Sequence, residues 1–150
     1  MTMPTEDELL NEMLFKDKAA IGFCKAIFRI SQVLDDLIDK DKPLTDEEVI
    51  KSFWAALVWL PQNPFYLENM HTLVPMLQVF MQDWVDSTQL EKGDEADQNA
   101  AFILRDSISG LLIHVMHIVG GYEWAMDNSA AVRRYIYEDT LEDYRKGLQS

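Results

Sequence analysis

Apolar residues recur every three or four positions along two long stretches of this chain. In residues 17–41 the repeating residues are Ala20, Phe23, Ile27, Ile30, Leu34 and Leu37. In the second stretch they are Ala100, Leu104, Ile108, Leu111, Val115 and Ile118, followed by Gly120 and Gly121. This spacing follows one face of an α-helix, so each stretch predicts a long helix.

Capping signals predict where the next two helices start. Thr45 and Glu48 have the spacing of a capping box, which predicts a helix from there to about Leu60. Asn63 provides a cap for a further helix, and Pro64 suits the first position of that helix.

Further along the chain, a proline and a charged stretch predict interruptions. The third helix extends towards Asp86, but Pro75 lies inside it and predicts a kink or a break between Met70 and Pro75. Residues 88–96 contain a glycine and several charges, which predicts the main loop, with Asp94 capping the next helix.

The whole pattern favours an all-helical protein. Glycine and proline are scarce, at six and five residues, and they fall where helices should stop. A turn of helix over residues 122–127 and a last helix from Ser129 to about Lys146 complete the set. Because there is no repeat, low-complexity tract or linker, we predict an all-α fold, a compact bundle of five or six helices in a single domain over residues 1–150.

Composition excludes several classes of function. The chain has 26 acidic and 13 basic residues, a formal net charge of −13, which disfavours direct binding of nucleic acid. A hydrophobic share of 48% excludes global disorder. One cysteine allows no intramolecular disulfide, the N-terminus is acidic, and no stretch approaches ~18 uncharged apolar residues. We therefore expect a cytoplasmic protein without a membrane segment.

Three aspartates, Asp35, Asp36 and Asp39, lie together near the end of the first long helix. They resemble the first aspartate-rich motif of the trans-isoprenyl diphosphate synthases, in which carboxylates hold Mg²⁺ that binds a diphosphate. Asp83 and Asp86 loosely resemble the second motif of that family. The resemblance implies a magnesium-dependent enzyme on phosphorylated or diphosphate substrates, in which the two groups of aspartates face each other.

Helical geometry favours a different interpretation of the same aspartates. At ~100° per residue, Asp35, Asp36 and Asp39 lie away from the apolar stripe of their helix, which predicts a solvated face. His114 and His117 are three residues apart and could both reach one metal ion, but no further ligand is apparent, so a histidine at the edge of the core is the simpler interpretation. We expect no cofactor, with Mg²⁺ as the alternative.

Residues 53–60, with the sequence FWAALVWL, contain no polar side chain. A helix that is apolar on every side must be buried on every side, and the two tryptophans lie on opposite sides of the helix. This segment therefore predicts either the core of the bundle or a contact with another chain. We favour a homo-oligomer whose interface contains Phe53, Trp54, Leu57 and Trp59.

Negative charge is concentrated in residues 52–132, which contain two basic and ten acidic residues. A soluble surface explains this imbalance, and attraction of a basic protein partner is the alternative. No phosphate-binding loop or catalytic motif is present. The sequence therefore predicts a non-enzymatic protein that acts by association, as a homo-oligomer or as a binder of another protein.

Overall fold

The computed structural model describes residues 3–40, 42–137 and 140–149. It is 85% helical and, within these residues, contains no β-strand. The predicted all-α fold is therefore confirmed. The helices are α1 (Glu6–Met13), α2 (Lys18–Asp39), α3 (Asp46–Trp54), α4 (Pro64–Leu90), α5 (Glu95–Arg105), α6 (Ile108–Gly120), α7 (Tyr122–Ile136) and α8 (Leu141–Gln149). A π-helical turn, Ala55–Trp59, and a 3₁₀ turn, Leu60–Gln62, continue α3.

Contacts within the chain form two compact units, Thr5–Met70 and His71–Ser150, the second of which includes Met1–Pro4. Helices α1, α2 and α3 belong to the first unit, and α5 to α8 belong to the second, while α4 runs from one into the other. A single domain over residues 1–150 stays a prediction.

The core of the first unit forms around Phe23, which is completely buried on α2. Its ring centroid lies 5.4 Å from that of Tyr66 and 5.9 Å from that of Phe65, both in the first turn of α4. Cys24 lies beside it in the buried stripe, and burial raises the pKa of its thiol far above the usual range. Salt bridges from Arg29 to Glu6 and from Lys25 to Asp7 hold α1 on α2.

Polar contacts join the helices of the second unit. Arg105 of α5 forms a salt bridge with Glu91, which also accepts a hydrogen bond from the Tyr144 hydroxyl of α8 at 2.8 Å. The ring of Phe102 packs against that of Tyr144 in a tilted arrangement, with centroids 5.4 Å apart. Arg133 of α7 donates to the buried Ser109 hydroxyl of α6 at 2.8 Å.

Of the predicted kink or break before Pro75, the break is wrong, since α4 is an uninterrupted α-helix, and the kink stays a prediction. Proline removes only one amide donor from the ladder, and the packed face of α4 stabilises the helix around it. Leu73, Phe80 and Ser87, seven residues apart, are buried along that face. The capping residues were predicted correctly at Thr45 and Asp94, which both accept hydrogen bonds from the first turns of their helices.

The predicted continuous helix through residues 100–118 is also wrong, because it is interrupted at Asp106 and Ser107. Here the hydrogen bonds span three residues, as from the Ser107 amide to the Leu104 carbonyl at 3.1 Å. Ser109 reinforces the turn through its hydroxyl, which donates to the Asp106 carbonyl at 2.9 Å. Polar side chains that bond locally to the backbone compete with helix continuation.

The end of the chain also differs from the expectation. Ser129 lies inside α7 and does not cap a helix, since α7 begins at Tyr122, directly after Gly121. Gly121 has a φ of 87°, a backbone conformation that favours glycine. The last helix, α8, begins only at Leu141.

By length and composition alone, the stretch Glu95–Gly120, which contains α5 and α6, could cross a membrane, a test that core helices of soluble proteins also pass. The stretch carries four charged residues, Glu95, Asp97, Arg105 and Asp106.

Asn63 joins the start of α4 to α2, and its loss should be costly. This buried side chain accepts from the Tyr66 amide at 2.9 Å and donates to the Ala19 carbonyl at 3.0 Å. Asn63→Ala removes a helix cap and a buried hydrogen bond, so we expect the free energy of unfolding to fall by about 2 kcal/mol in urea titrations. Asn128→Ala, which loses only a bond within α7, is the control and should cost less than about 1 kcal/mol.

Candidate interaction surface on helix α3

The apolar segment of residues 53–60 is largely exposed. Phe53, Trp54, Leu57 and Trp59 are 61%, 62%, 71% and 42% exposed, and Leu60 is the one buried residue of the segment. The expected burial on all sides is therefore wrong within this chain. The alternative, in which the segment contacts another chain, stays a prediction, and the structure presents all four predicted interface residues at the surface.

A fifth residue, Ile50, extends this exposed segment towards the N-terminus of α3. It is 64% exposed and precedes Phe53, Trp54 and Leu57 by three, four and seven residues. Residues at this spacing lie on one face of a helix, and anchors of helices that dock on partners recur at the same intervals. We call Ile50, Phe53, Trp54, Leu57 and Trp59 the α3 surface.

The position of Trp59 is set by a glycine on α2. A Cβ atom placed on Gly22 would lie only 3.0 Å from the Cη2 atom of the Trp59 ring, so the missing side chain allows the ring to approach. This contact explains why Trp59 is less exposed than Trp54. One tryptophan therefore packs on the unit's own helix, and the other extends into solvent.

The charges of α3 are confined to its first turns. Thr45 and Glu48 form the capping box, with the Glu48 amide donating to the Thr45 hydroxyl at 3.1 Å. Asp46 and Glu47 complete the acidic first turn, and Lys51, the only basic residue of α3, lies 3.0 Å from Glu47. From residue 52 to residue 62 no side chain is charged.

The aspartates at the end of α2 do not form the open face that helical geometry predicted. Asp35, Asp36 and Asp39 are all half-buried, and the Asp36 carboxylate lies 3.7 Å from the Lys42 ammonium group. The neighbouring Leu37 and Ile38 are exposed instead. The apolar stripe of α2 is buried only in its first half, from Ala20 to Ile27.

The second pair of aspartates lies on α4. Asp86 is exposed and accepts a hydrogen bond from the Gln82 amide at 2.9 Å, and Asp83 is half-buried. Among residues 3–40, 42–137 and 140–149, no three His, Cys, Asp or Glu side chains are grouped so that they could hold a metal ion. Magnesium binding by the five aspartates stays an untested prediction.

The two histidines of α6 have different surroundings. His114 is half-buried, and its Nε2 atom is enclosed without a hydrogen-bond partner in the described part of the chain. His117 is exposed, with its ring centroid 6.3 Å from that of Tyr122. Burial, reinforced by the charge of His117, lowers the pKa of His114, so this imidazole is neutral in the folded protein at neutral pH.

This lowered pKa predicts that acid destabilises the protein. Since the unfolded chain binds a proton at His114 below pH ~6.5 and the folded chain does so only at lower pH, the free energy of unfolding should fall as the pH drops below ~6.5. Urea titrations across this range measure the slope. His114→Gln should flatten it, and equal slopes in the His114 variant and the native chain would contradict the prediction.

Comparisons with known proteins give no relative from which a function could be transferred. No family model, no curated protein and no solved structure matches the chain. Any functional assignment therefore depends on the exposed residues and side-chain contacts of the chain itself.

Proposed function

We propose that this protein acts by association and that the α3 surface of one copy binds the α3 surface of a second copy. The observation that supports this proposal is the exposure of Ile50, Phe53, Trp54 and Leu57 in one helical stripe. Aromatic side chains, and tryptophan above all, provide most of the binding energy in protein interfaces. A contiguous apolar patch that is exposed to water on a folded protein is typical of an interaction site.

The area of the α3 surface is close to what a dimer requires. Aromatic side chains bury roughly 150 to 250 Å² each, so at the observed exposures the five residues leave about 600 Å² of apolar surface open. A stable interface takes about 800 Å² from each partner. Polar residues around the α3 surface would provide the remaining interface area.

The distribution of charge favours a symmetric, antiparallel pairing of two α3 helices. In a twofold arrangement centred near Phe53 and Trp54, the acidic first turn of each helix lies opposite the uncharged residues 55–62 of the other. A parallel pairing would instead place two acidic turns side by side, which like-charge repulsion disfavours. The salt bridge of Lys51 with Glu47 leaves no uncompensated cation at the contact.

Light scattering during size-exclusion chromatography tests this proposal on the native chain. We expect a mass of twice 17.4 kDa at high loading, which falls towards 17.4 kDa on dilution. A mass of 17.4 kDa at every concentration would refute self-association. A mass that rises without limit would refute a closed twofold contact, since such a contact cannot propagate.

A further inference from the structure

The last helix, α8, contacts α5 through one aromatic ring of α5. The ring centroid of Phe102 lies 5.4 Å from that of Tyr144 on α8 and 5.5 Å from that of Tyr137, the residue directly after α7. Of the residues Leu141–Gln149, all of which the structure describes, none is buried. Helix α8 is therefore held in place by few apolar contacts.

One carboxylate joins α8 to α5 and to the end of α4. Glu91, the residue after α4, accepts a hydrogen bond from the Tyr144 hydroxyl at 2.8 Å and forms a salt bridge with Arg105. The Glu91 side chain is only 15% exposed. Hydrogen bonds to an ionised carboxylate are stronger than those between neutral groups. The salt bridge of Arg145 with Glu95, at 3.3 Å, contributes less because the Glu95 side chain is exposed.

Helix α8 is also too short to be stable as an isolated helix. It has nine residues, and one of them, Gly147, lowers its helix propensity. Helices of fewer than about 12 residues are marginal in water unless they pack on a neighbour. When α8 leaves α5, it therefore loses its helical hydrogen bonds at the same time, and amide hydrogen exchange reports the separation.

Helix α6 is the reference for the rest of the second unit, since Leu112, Val115 and Met116 are completely buried on it. Amides of such a core helix exchange when the whole unit unfolds, whereas an element with few buried contacts opens locally at a lower free energy. Mobile lids of proteins are drawn from elements of this second kind.

We propose that α8 is a latch that opens and closes on α5 while the rest of the second unit stays folded, and that Glu91 holds it closed. Opening separates Tyr144 from Phe102 and from Glu91. This inference does not depend on the dimer, since the contacts of α8 involve no residue of the α3 surface.

Hydrogen exchange measured by mass spectrometry on the native full chain tests the latch. Protection factors in α8 should be at least tenfold lower than in α6 and, unlike those in α6, should not change in low concentrations of urea, because local opening exposes little surface. Val115→Ala, which lowers the stability of the core, should speed exchange in α6 about tenfold and change exchange in α8 less than twofold.

Glu91→Gln should speed exchange in α8 about fivefold, because a charge-assisted contact is weakened. Glu91 is not part of α8, so this substitution leaves the intrinsic stability of the helix unchanged. The matched control is Glu123→Gln, the same substitution at an exposed residue of α7, which should change exchange in α8 less than twofold.

Three outcomes would overturn the inference. If Val115→Ala speeds exchange equally in α8 and α6, α8 opens only when the whole unit unfolds. If Glu91→Gln leaves exchange in α8 unchanged, the helix frays in place without leaving α5. Exchange in α8 as fast as in an unfolded peptide would show that α8 does not dock on α5 in solution.

Discussion

A chain carrying Trp54→Glu is expected to stay monomeric at concentrations at which the native chain is a dimer. Trp54 is 62% exposed at the centre of the α3 surface, so the substitution should not disturb the core of its unit. It removes a large aromatic anchor and places a charge against an apolar contact. Loss of a central aromatic costs 2 kcal/mol or more, which raises the dissociation constant by at least about 30-fold.

Sedimentation velocity measures this change, and the control is Ile103→Glu. Ile103 is 57% exposed on α5, so the control has the same charge change at a similarly exposed apolar residue outside the α3 surface. The native chain and the Ile103 variant should both sediment as dimers. If the two variants dissociate alike, charge alone weakens the dimer, and the assignment of the interface to α3 is wrong.

The largest expected loss of stability follows from Phe23→Ala. Phe23 is completely buried against Phe65 and Tyr66, and its truncation leaves a cavity where α2 meets the start of α4. Such truncations cost about 3 to 5 kcal/mol, a large part of the stability of a small protein. Phe53→Ala is the matched control, because Phe53 is exposed and its truncation should cost less than about 1 kcal/mol in the monomer.

Both phenylalanine variants are best compared in the Trp54→Glu chain, in which association does not contribute to the free energy of unfolding. Urea titrations followed by circular dichroism give the two values. A loss at Phe23 as small as that at Phe53 would mean that the aromatic contacts do not form the core of the first unit.

Periodicity and capping signals were sufficient to predict the all-α class and several helix starts. The repeat on α2 and the capping box at Thr45 depend on local physics, which acts in the same way in every fold. The break at Asp106 was missed because the apolar repeat continues through it unchanged. Contacts between residues far apart in the sequence, such as the hydrogen bond from Arg133 to Ser109, have no local signal that could have been used to predict them.

The candidate site was predicted only in part. Composition identified residues 53–60 as a segment that needs partners, but a uniformly apolar segment carries no information about which side faces the core. Ile50 was missed because Lys51 and Ser52 separate it from the run, although its spacing from Phe53 and Leu57 could have identified it. Packing of Trp59 on Gly22 depends on the approach of two helices and has no local signal.

The same limitation applies to the aspartates of α2. The helical wheel placed Asp35, Asp36 and Asp39 opposite the apolar stripe and therefore in solvent. In the structure this stripe is buried only near Phe23, and further along the helix Leu37 is exposed while Asp36 is largely covered beside Lys42. A wheel shows which residues share a face, but tertiary packing decides which face is covered at each end of a long helix.

The most direct measurement of the central claim is hydroxyl-radical footprinting of the native chain at increasing protein concentration. If two α3 surfaces bind each other, oxidation of Phe53 and Trp54 should fall as the dimer forms. Oxidation of Tyr122, which is 68% exposed on α7, should stay constant and provides the internal control. Oxidation of Trp54 at the same rate at every concentration, or in parallel with Tyr122, would contradict the account.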